Sequence, residues 1–316
     1  LLSVIDYTEI INRAGIDASS VEITAISSNS AKAKDSSIFV CIAGSIADGH
    51  KYAVEAYKKG CRVFVAERKI DVDNDAFVIL TKNSRIALAQ LSAAFFNYPA
   101  SKMTIIGITG TKGKTTSSLL IYNILKKNGI PAGYIGSNGI SYNDVQKETM
   151  NTTPESYFLH EHLREMYDAG GRTVVMEGSS QALKMSRVHG IKFDIGVFTN
   201  LSPDHIGEFE HPDFNDYKSC KHTLFTDYGV EFIVYNADDE HSSDMTSGSR
   251  AEKVGISGKG DPNAAYRAEN IYYCRTPEKI SVSFKCNEAN DSYVAELAFP
   301  GEFSVYNALT AIAVCK

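Results

Sequence analysis

The sequence predicts an α/β protein: a small N-terminal α/β domain, residues 1–99, followed by a central domain, residues 100–316, with a mostly parallel sheet and a smaller β-rich part. Three observations predict it. Apolar runs alternate with helix-period stretches, the pattern of parallel strands covered on both faces. One such run passes into one such helix through the glycine-rich turn Gly107-Ile108-Thr109-Gly110-Thr111-Lys112-Gly113-Lys114-Thr115-Thr116. The chain, at 316 residues, is also too long for one ordinary domain and long enough for two well-buried cores.

In the first hundred residues, β-like runs stand at Ser37 to Ile42, Arg62 to Ala66 and Ala76 to Leu80, with a helical pattern at Tyr52 to Lys59. A further helix-like stretch, Ser84 to Phe96, is broken by Asn97-Tyr98-Pro99, because proline restricts its predecessor and cannot continue a helix. The domain boundary is placed there. Beyond it the order is strand Met103 to Ile108, helix Thr115 to Asn128, strand Ala132 to Ile135, helix Ser156 to Ala169, then strands Thr173 to Glu177, Ile195 to Thr199 and Phe232 to Asn236. Ligands of such sheets bind at the carboxyl ends of the strands. Residues 263–299 read as more antiparallel, with Ser281 to Phe284 and Tyr293 to Phe299 as strand candidates. The start at Leu1 without a charged-then-apolar leader, and the end inside the apolar pattern Tyr306 to Val314, are those expected of a fragment.

Hydrophobic residues make up 43% and charged residues 22%, the balance of a soluble globular protein, and no apolar run approaches the roughly 20 residues of a spanning helix. A membrane partner is not expected. The formal net charge of −6 argues against a general nucleic-acid binder, although one pocket can carry the opposite sign. The six cysteines form no Cys-x-x-Cys pair, so neither a zinc site nor a disulfide framework is suggested and a reducing cytoplasm is the simplest setting.

The glycine-rich turn carries the chemistry. Glycines let backbone N–H groups converge on phosphate oxygens, the following helix start adds a positive dipole, Lys114 supplies a point charge and the Thr115 hydroxyl suits Mg²⁺. The central domain is therefore expected to be of the phosphate-loop ATPase type, with Gly110, Thr111, Lys112, Gly113, Lys114, Thr115 and Thr116 holding ATP. The spacing departs from the common loop, which has glycine where Ile108 stands; the leading glycine is Gly107. A second constellation, Val174 to Gln181, brings Glu177 to a strand end, where one carboxylate beside substrate phosphates would complete a magnesium site with Thr115; taken alone it reads more often as a helix cap or surface charge, and the phosphate loop reverses that balance. A third, Phe198 to His205, gathers Asn200, Asp204 and His205 in one turn, with a neutral imidazole available to a metal or, on the bland reading, a surface histidine. Lys221, in the helical run Tyr217 to Phe225, reads from the residues alone as a solvated charge.

Gly107 to Thr116, Asn151-Thr152-Thr153-Pro154-Glu155, Met176-Glu177 with Ser179-Ser180-Gln181-Ala182-Leu183, Arg187-Val188, Thr199-Asn200-Leu201 with Asp204-His205, and Tyr217 to Phe225 resemble, in order and spacing, the Mur ligases, and among them the MurE branch. That branch adds the third stem amino acid to UDP-N-acetylmuramoyl-L-alanyl-D-glutamate. The resemblance spans most of the chain; Thr-Thr-Pro with Ser-Ser-Gln-Ala-Leu is more specific to it than the loop, which folylpolyglutamate synthases share.

The resemblance implies an ATP-dependent amide ligase with Mg²⁺, acting on a UDP-N-acetylmuramoyl dipeptide and a diamino acid, L-lysine or meso-diaminopimelate, as a cytoplasmic monomer. It implies that Lys114 contacts the ATP phosphates, that Thr115 and Glu177 hold one Mg²⁺ and His205 a second, and that Lys221 falls where the family carries a carbamylated lysine. Ser30, Thr152, Thr153, Ser179, Gln181 and Arg187 would face the UDP-linked dipeptide, and Asn307, Asp238 and Asp239 match positions near the nucleotide. The family's C-terminal domain is absent from the chain as read. Asn29-Ser30-Ala31 stands where the family has Asp-Ser-Arg, and Ile206 to His211 differs from the usual Leu-Asp-Phe-His. Two rivals stand beside this reading: another amide ligase of the superfamily, such as a folylpolyglutamate synthase, and an ATP-binding homologue that has lost ligation.

Overall fold

The computed structural model describes residues 1–44, 47–208, 210–289, 291–299 and 301–316. It separates into two compact units, one of residues 1–99 with 155–162 and 185–190, the other of residues 100–154, 163–184 and 191–316.

The first unit has a five-stranded sheet in the order β1-β5-β4-β3-β2, from β1 (Glu9–Asn12), β2 (Ala25–Ser27), β3 (Ser37–Val40), β4 (Val63–Ala66) and β5 (Phe77–Leu80). β2 to β5 run parallel and β1 pairs antiparallel with β5. Every residue of β3 and β5 is buried, because helices lie against both faces. Phe39, Phe64 and Val78 cluster with Ala53 and Ala56 of α1 (Ala53–Lys58), while Ile38, Val65 and Ile79 cluster with Ala87, Leu88 and Leu91 of α2 (Ser84–Phe95). The Asn83 side chain caps α2 by accepting from Arg85 N and Ile86 N.

The second unit holds an eleven-stranded sheet, β16-β15-β14-β13-β12-β11-β6-β10-β7-β8-β9. Its centre comprises β6 (Thr104–Thr109), β7 (Ala132–Gly136), β10 (Thr173–Glu177), β11 (Ile195–Phe198), β12 (Phe232–Asn236), β13 (Glu252–Ser257) and β14 (Tyr266–Arg275), all mutually parallel. Antiparallel edges are added by β8 (Gly139–Tyr142) and β9 (Val145–Lys147) on one side, and by β15 (Ile280–Glu288) and β16 (Asp291–Leu297) on the other. The α/β class with a mostly parallel sheet and a β-rich part is the class expected from the sequence.

The helices are α3 (Lys114–Lys127), α4 (Ser156–Asp168), α5 (Ser180–Lys184), α6 (Phe214–Thr226), α7 (Ser242–Thr246) and α8 (Glu302–Cys315). α3 and α8 share a core with the sheet, in which Ile121, Leu125, Val305 and Leu309 meet Ile106, Val197 and Val234. Among the described residues no helix is long and apolar enough to cross a membrane.

Several strands escaped the sequence reading. β1 and β2 are too short to show a period. β13 opens on Glu252-Lys253, which are exposed and hide a strand whose last three residues are buried. The β8–β9 hairpin turns through Asn143-Asp144, with Asn143 at φ +49°, a residue type tolerant of that region.

Candidate functional site

The loop between β6 and α3 is shaped by two glycines. Gly110 has φ +145° and Gly113, the N-cap of α3, has φ +84°. A Cβ on Gly110 would stand 2.0 Å from Thr199 Oγ1, and one on Gly113 2.6 Å from Asn307 Oδ1. Gly107, by contrast, serves packing: a Cβ there would lie 2.4 Å from the Phe193 ring. This explains why the leading glycine stands at 107 and the fully buried Ile108 follows it.

Asn200 grips the loop from the end of β11. Its carbonyl accepts from Thr111 N at 2.8 Å, its Oδ1 from Lys112 N at 2.9 Å, and its Nδ2 donates to Lys112 O at 2.9 Å. Thr199 Oγ1 donates to Lys112 O at 2.7 Å. Lys114 Nζ folds back onto Gly110 O at 2.8 Å and Thr111 O at 3.0 Å, and burial lowers its pKa. Thr116 lies half-buried one residue after Thr115 on α3. A glycine-shaped turn over a helix start, with a lysine beside it, is an arrangement suited to an anion.

Glu177, at the carboxyl end of β10 and fully buried, faces this loop. Its Oε2 accepts from Thr115 Oγ1 at 3.1 Å and from Ser137 Oγ at 3.3 Å; its Oε1 accepts from Tyr134 OH at 2.8 Å and Ser137 N at 2.9 Å. The donor set fits Mg²⁺. Adjacent ligands of an octahedral Mg²⁺ at its usual bond lengths stand about 3 Å apart, and the two oxygens of Thr115 and Glu177 are 3.1 Å apart. All the groups around them are oxygens or an amide.

Through its backbone carbonyl, Glu177 also borders the Thr-Thr-Pro and Ser-Ser-Gln segments. Thr153 Oγ1 donates to Glu177 O at 2.7 Å and to Ser179 Oγ at 3.2 Å, and Ser137 Oγ lies 3.1 Å from Thr152 Oγ1. Gln181 Nε2 is buried without a hydrogen-bond partner among the described residues.

His205, Asp204 and Lys221 converge from β11 and α6. Lys112 Nζ reaches Asp204 Oδ2 at 3.1 Å, and that ammonium holds the Asp204 carboxyl below its ordinary value. His205 is exposed at φ +55°, with Nδ1 2.9 Å from Glu210 Oε1 and its ring 6.1 Å from that of Tyr217. Lys221 is not solvated but 1% exposed; its Nζ donates to Gly110 O at 2.9 Å and lies 4.6 Å from the Tyr217 ring centre. Burial, and Lys114 after it, push its pKa well down.

A cavity of about 190 Å³ lies beside the loop, lined by Asn200, Asp238, Lys259, Phe303, Tyr306 and Asn307 among others. Asp238 accepts from Tyr306 OH at 2.8 Å and Ser257 Oγ at 2.8 Å. Asp239 accepts from Leu201 N at 3.0 Å, and Asn307 Oδ1 from Ser117 Oγ at 3.0 Å.

Ser30 and Arg187 belong to the first unit. Ser30 Oγ donates to Glu55 Oε2 at 2.9 Å, and Lys59 Nζ donates to Ser30 O at 3.0 Å. Arg187 pairs with Glu155 at 2.7 Å. The second unit thus brings together the loop, Thr115, Glu177, Lys221 and the Thr152, Thr153 and Ser179 hydroxyls.

Sequence reasoning missed Tyr134, Ser137, Tyr217 and His211. Ser137 follows from the strand-end rule applied to β7, the neighbour of β10, whereas Tyr134 lies inside that strand. Nothing local distinguishes Tyr217 or His211, whose burial is tertiary.

A family model described as the Mur ligase middle domain matches residues 108–315. The chain is 39% identical over 300 residues to a UDP-N-acetylmuramoyl-L-alanyl-D-glutamate--2,6-diaminopimelate ligase of Bacillus licheniformis, across 93% of this chain and 59% of that protein. It is 36% identical over 308 residues to the protein of the same name in Listeria monocytogenes, across 95% of this chain and 60% of that one. The chain spans 59–60% of the length of these relatives. A solved structure bearing the same name superposes with TM-score 0.79 at 23% identity, over 92% of this chain and 59% of that one. MurF ligase from Thermotoga maritima in complex with ADP superposes with TM-score 0.61 at 18% identity, over 95% of this chain and 64% of that one. At those identities the likeness to the solved structures is one of fold.

Proposed function

The chain belongs to the Mur ligase family, and from that premise we propose that it is the ATP- and acceptor-binding part of a cytoplasmic ligase. That ligase joins a diamino acid to UDP-N-acetylmuramoyl-L-alanyl-D-glutamate, with 2,6-diaminopimelate, the amino acid in its relatives' names, the first to test. One observation carries the reading. Glu177 meets the phosphate loop through its carboxylate and Thr115, and the acceptor segments through its backbone carbonyl, which accepts from Thr153, and through Ser137, which bonds its carboxylate and lies beside Thr152.

The phosphate loop binds the ATP phosphates through its backbone N–H groups, and Lys114 leaves the Gly110 and Thr111 carbonyls for a phosphate oxygen. Asn307, Asp238 and Asp239 border the nucleotide. Thr152, Thr153, Ser179 and Gln181 receive the UDP-linked dipeptide. An acceptor carboxylate oxygen attacks the γ-phosphorus, the bond to the β,γ-bridging oxygen breaks and ADP leaves. The amine of the diamino acid then attacks the acyl carbon, the carbon–oxygen bond to phosphate breaks, and the amine gives up a proton as the amide forms. Since two anions meet in the first step, the protein's contribution is chiefly positioning and neutralisation. Thr115 and Glu177 would hold Mg²⁺, which when bound supplies positive charge to the phosphate oxygens. His205 is the proposed ligand of a second ion. Lys221, held as a poorly protonated amine by burial, is suited to add CO₂ and become an anionic carbamate with loss of a proton.

The full-length protein should release ADP and phosphate from ATP in response to both the UDP-linked dipeptide and a diamino acid, and Lys114→Ala should abolish that release. Stimulation by a folate substrate instead, or by neither, would overturn the reading.

A further inference from the structure

Away from the phosphate loop, three hydrogen bonds among four side chains make a ring between α5 and α6 that is closed through α5 itself. Ser180, the first residue of α5, has its Oγ 2.9 Å from His211 Nε2. His211 Nδ1 lies 2.6 Å from Asp216 Oδ2, in the first turn of α6. The same carboxylate oxygen accepts at 2.8 Å from Nζ of Lys184, the last residue of α5, which also donates to Glu210 O at 3.0 Å. The imidazole is fully buried and Ser180 is 4% exposed. A carboxylate only accepts, which puts a proton on Nδ1.

Two other readings of this cluster fail on its own geometry. Ser180, His211 and Asp216 stand in the order of a nucleophilic relay, but a serine so enclosed meets no acyl group. His211, Asp216 and Cys220 have donor atoms within 4.8 Å of one another, yet the Lys184 ammonium already occupies Asp216, and both imidazole nitrogens are taken. Cations would meet there.

The ring is left with a mechanical role. α5 carries Gln181 directly after Ser180, and α6 carries Lys221, whose Nζ reaches Gly110 of the phosphate loop. We propose that His211 is a positioning residue for ligation: with Asp216, Lys184 and Ser180 it holds the acceptor-facing turn of α5 in register with α6 and, through Lys221, with the phosphate loop. The proposal rests on the ligase reading above for what α5 faces.

The test uses the full-length protein with His211→Asn, Lys184→Met and Lys184→Arg. His211→Asn and Lys184→Met should each raise KM for the UDP-linked dipeptide by about tenfold or more while Kd for ADP stays within about twofold. Lys184→Arg keeps the bond to Asp216 and should remain close to wild type, and the double variant His211→Asn with Lys184→Met should be little worse than the poorer single. In hydrogen exchange, His211→Asn should speed the amides of α5 and of the first turn of α6 together. Faster exchange confined to residues 205–211 with an unchanged KM, or equal losses of ADP and acceptor binding in both His211→Asn and Lys184→Met, would overturn the proposal. A wild-type protein that does not respond to the acceptor would sink the ligase reading, and hydrogen exchange would still decide whether the ring couples α5 to α6.

Discussion

Nζ of Lys221 donates to the carbonyl oxygen of Gly110 at 2.9 Å, joining α6 to the phosphate loop across 111 residues of sequence. The bond ends on the glycine that no other residue can replace without striking Thr199. Burial, and the Lys114 charge after it, make this amine poor at holding a proton, so its burial, the loop's shape and the site's charge are coupled.

Lys221→Met tests that coupling through pH. The folded pKa is lowered, so between it and the ordinary lysine value of 10.5 the unfolded chain binds a proton that the folded chain does not. Stability contributed by this group therefore rises with pH through that window and is lost as pH falls through the folded pKa. Melting temperatures of wild type should climb relative to Lys221→Met from neutral pH towards pH 10, and the variant should lose ligation. Parallel melting curves would contradict a poorly protonated Lys221.

Glu177→Gln removes the negative charge while keeping the shape. A neutral amide cannot accept from Tyr134, Ser137 and Thr115 together, so a destabilisation of about 2 kcal/mol is expected. Titration with ADP, with and without Mg²⁺, should show that the metal-dependent part of the affinity has gone. An unchanged Mg²⁺ dependence would remove Glu177 from the metal site.

Gly110→Ala and Gly113→Ala should differ in degree. The first must displace a Thr199 hydroxyl bonded to two carbonyls, of Thr109 and Lys112, whereas the second meets the Asn307 amide, a side-chain terminus held by the Ser117 hydroxyl. Both pay for positive φ. ADP affinity measured by calorimetry should fall more for Gly110→Ala, and the reverse order would show that Asn307 rather than Thr199 governs the loop.

His160, on α4, is 1% exposed with neither ring nitrogen hydrogen-bonded among the described residues, and burial lowers its pKa from 6.5 to about 4. Between those values the unfolded chain takes up the proton first, so stability falls as pH drops from 6.5 towards 4. At about 1.4 kcal/mol per unit the loss amounts to about 3 kcal/mol. Urea melts of His160→Leu should show a flatter acid limb than wild type over that range; identical limbs would mean that the ring is wet.

Much of the second unit was legible because its strands are buried on both faces and read as continuous apolar runs. The strand limits of β10 and β12 coincide with those expected from Thr173 to Glu177 and Phe232 to Asn236. Glu177 was legible as a strand-end carboxylate and Thr115 as a loop hydroxyl, but their partners were not. Tyr134 lay inside an apolar run, where only its phenol oxygen mattered. Lys221 was misleading in isolation: a lysine on a helix is ordinarily solvated, and only the packing of α6 beneath the loop buries it.

By itself, then, the sequence determined the α/β class, the place of the phosphate loop between a strand and a helix, and the need for glycine at Gly110 and Gly113, because period, proline breaks and backbone sterics act over a few residues. Tertiary structure alone decided which side chains share an environment. That Thr115 meets Glu177, that Lys221 reaches Gly110 and that His211 closes a ring with Ser180, Asp216 and Lys184 depends on strands far apart in the chain lying side by side. Burial then turns common polar residues into partnered ones, since an unpaired polar group inside a sheet's helical cover costs more than the bond that satisfies it.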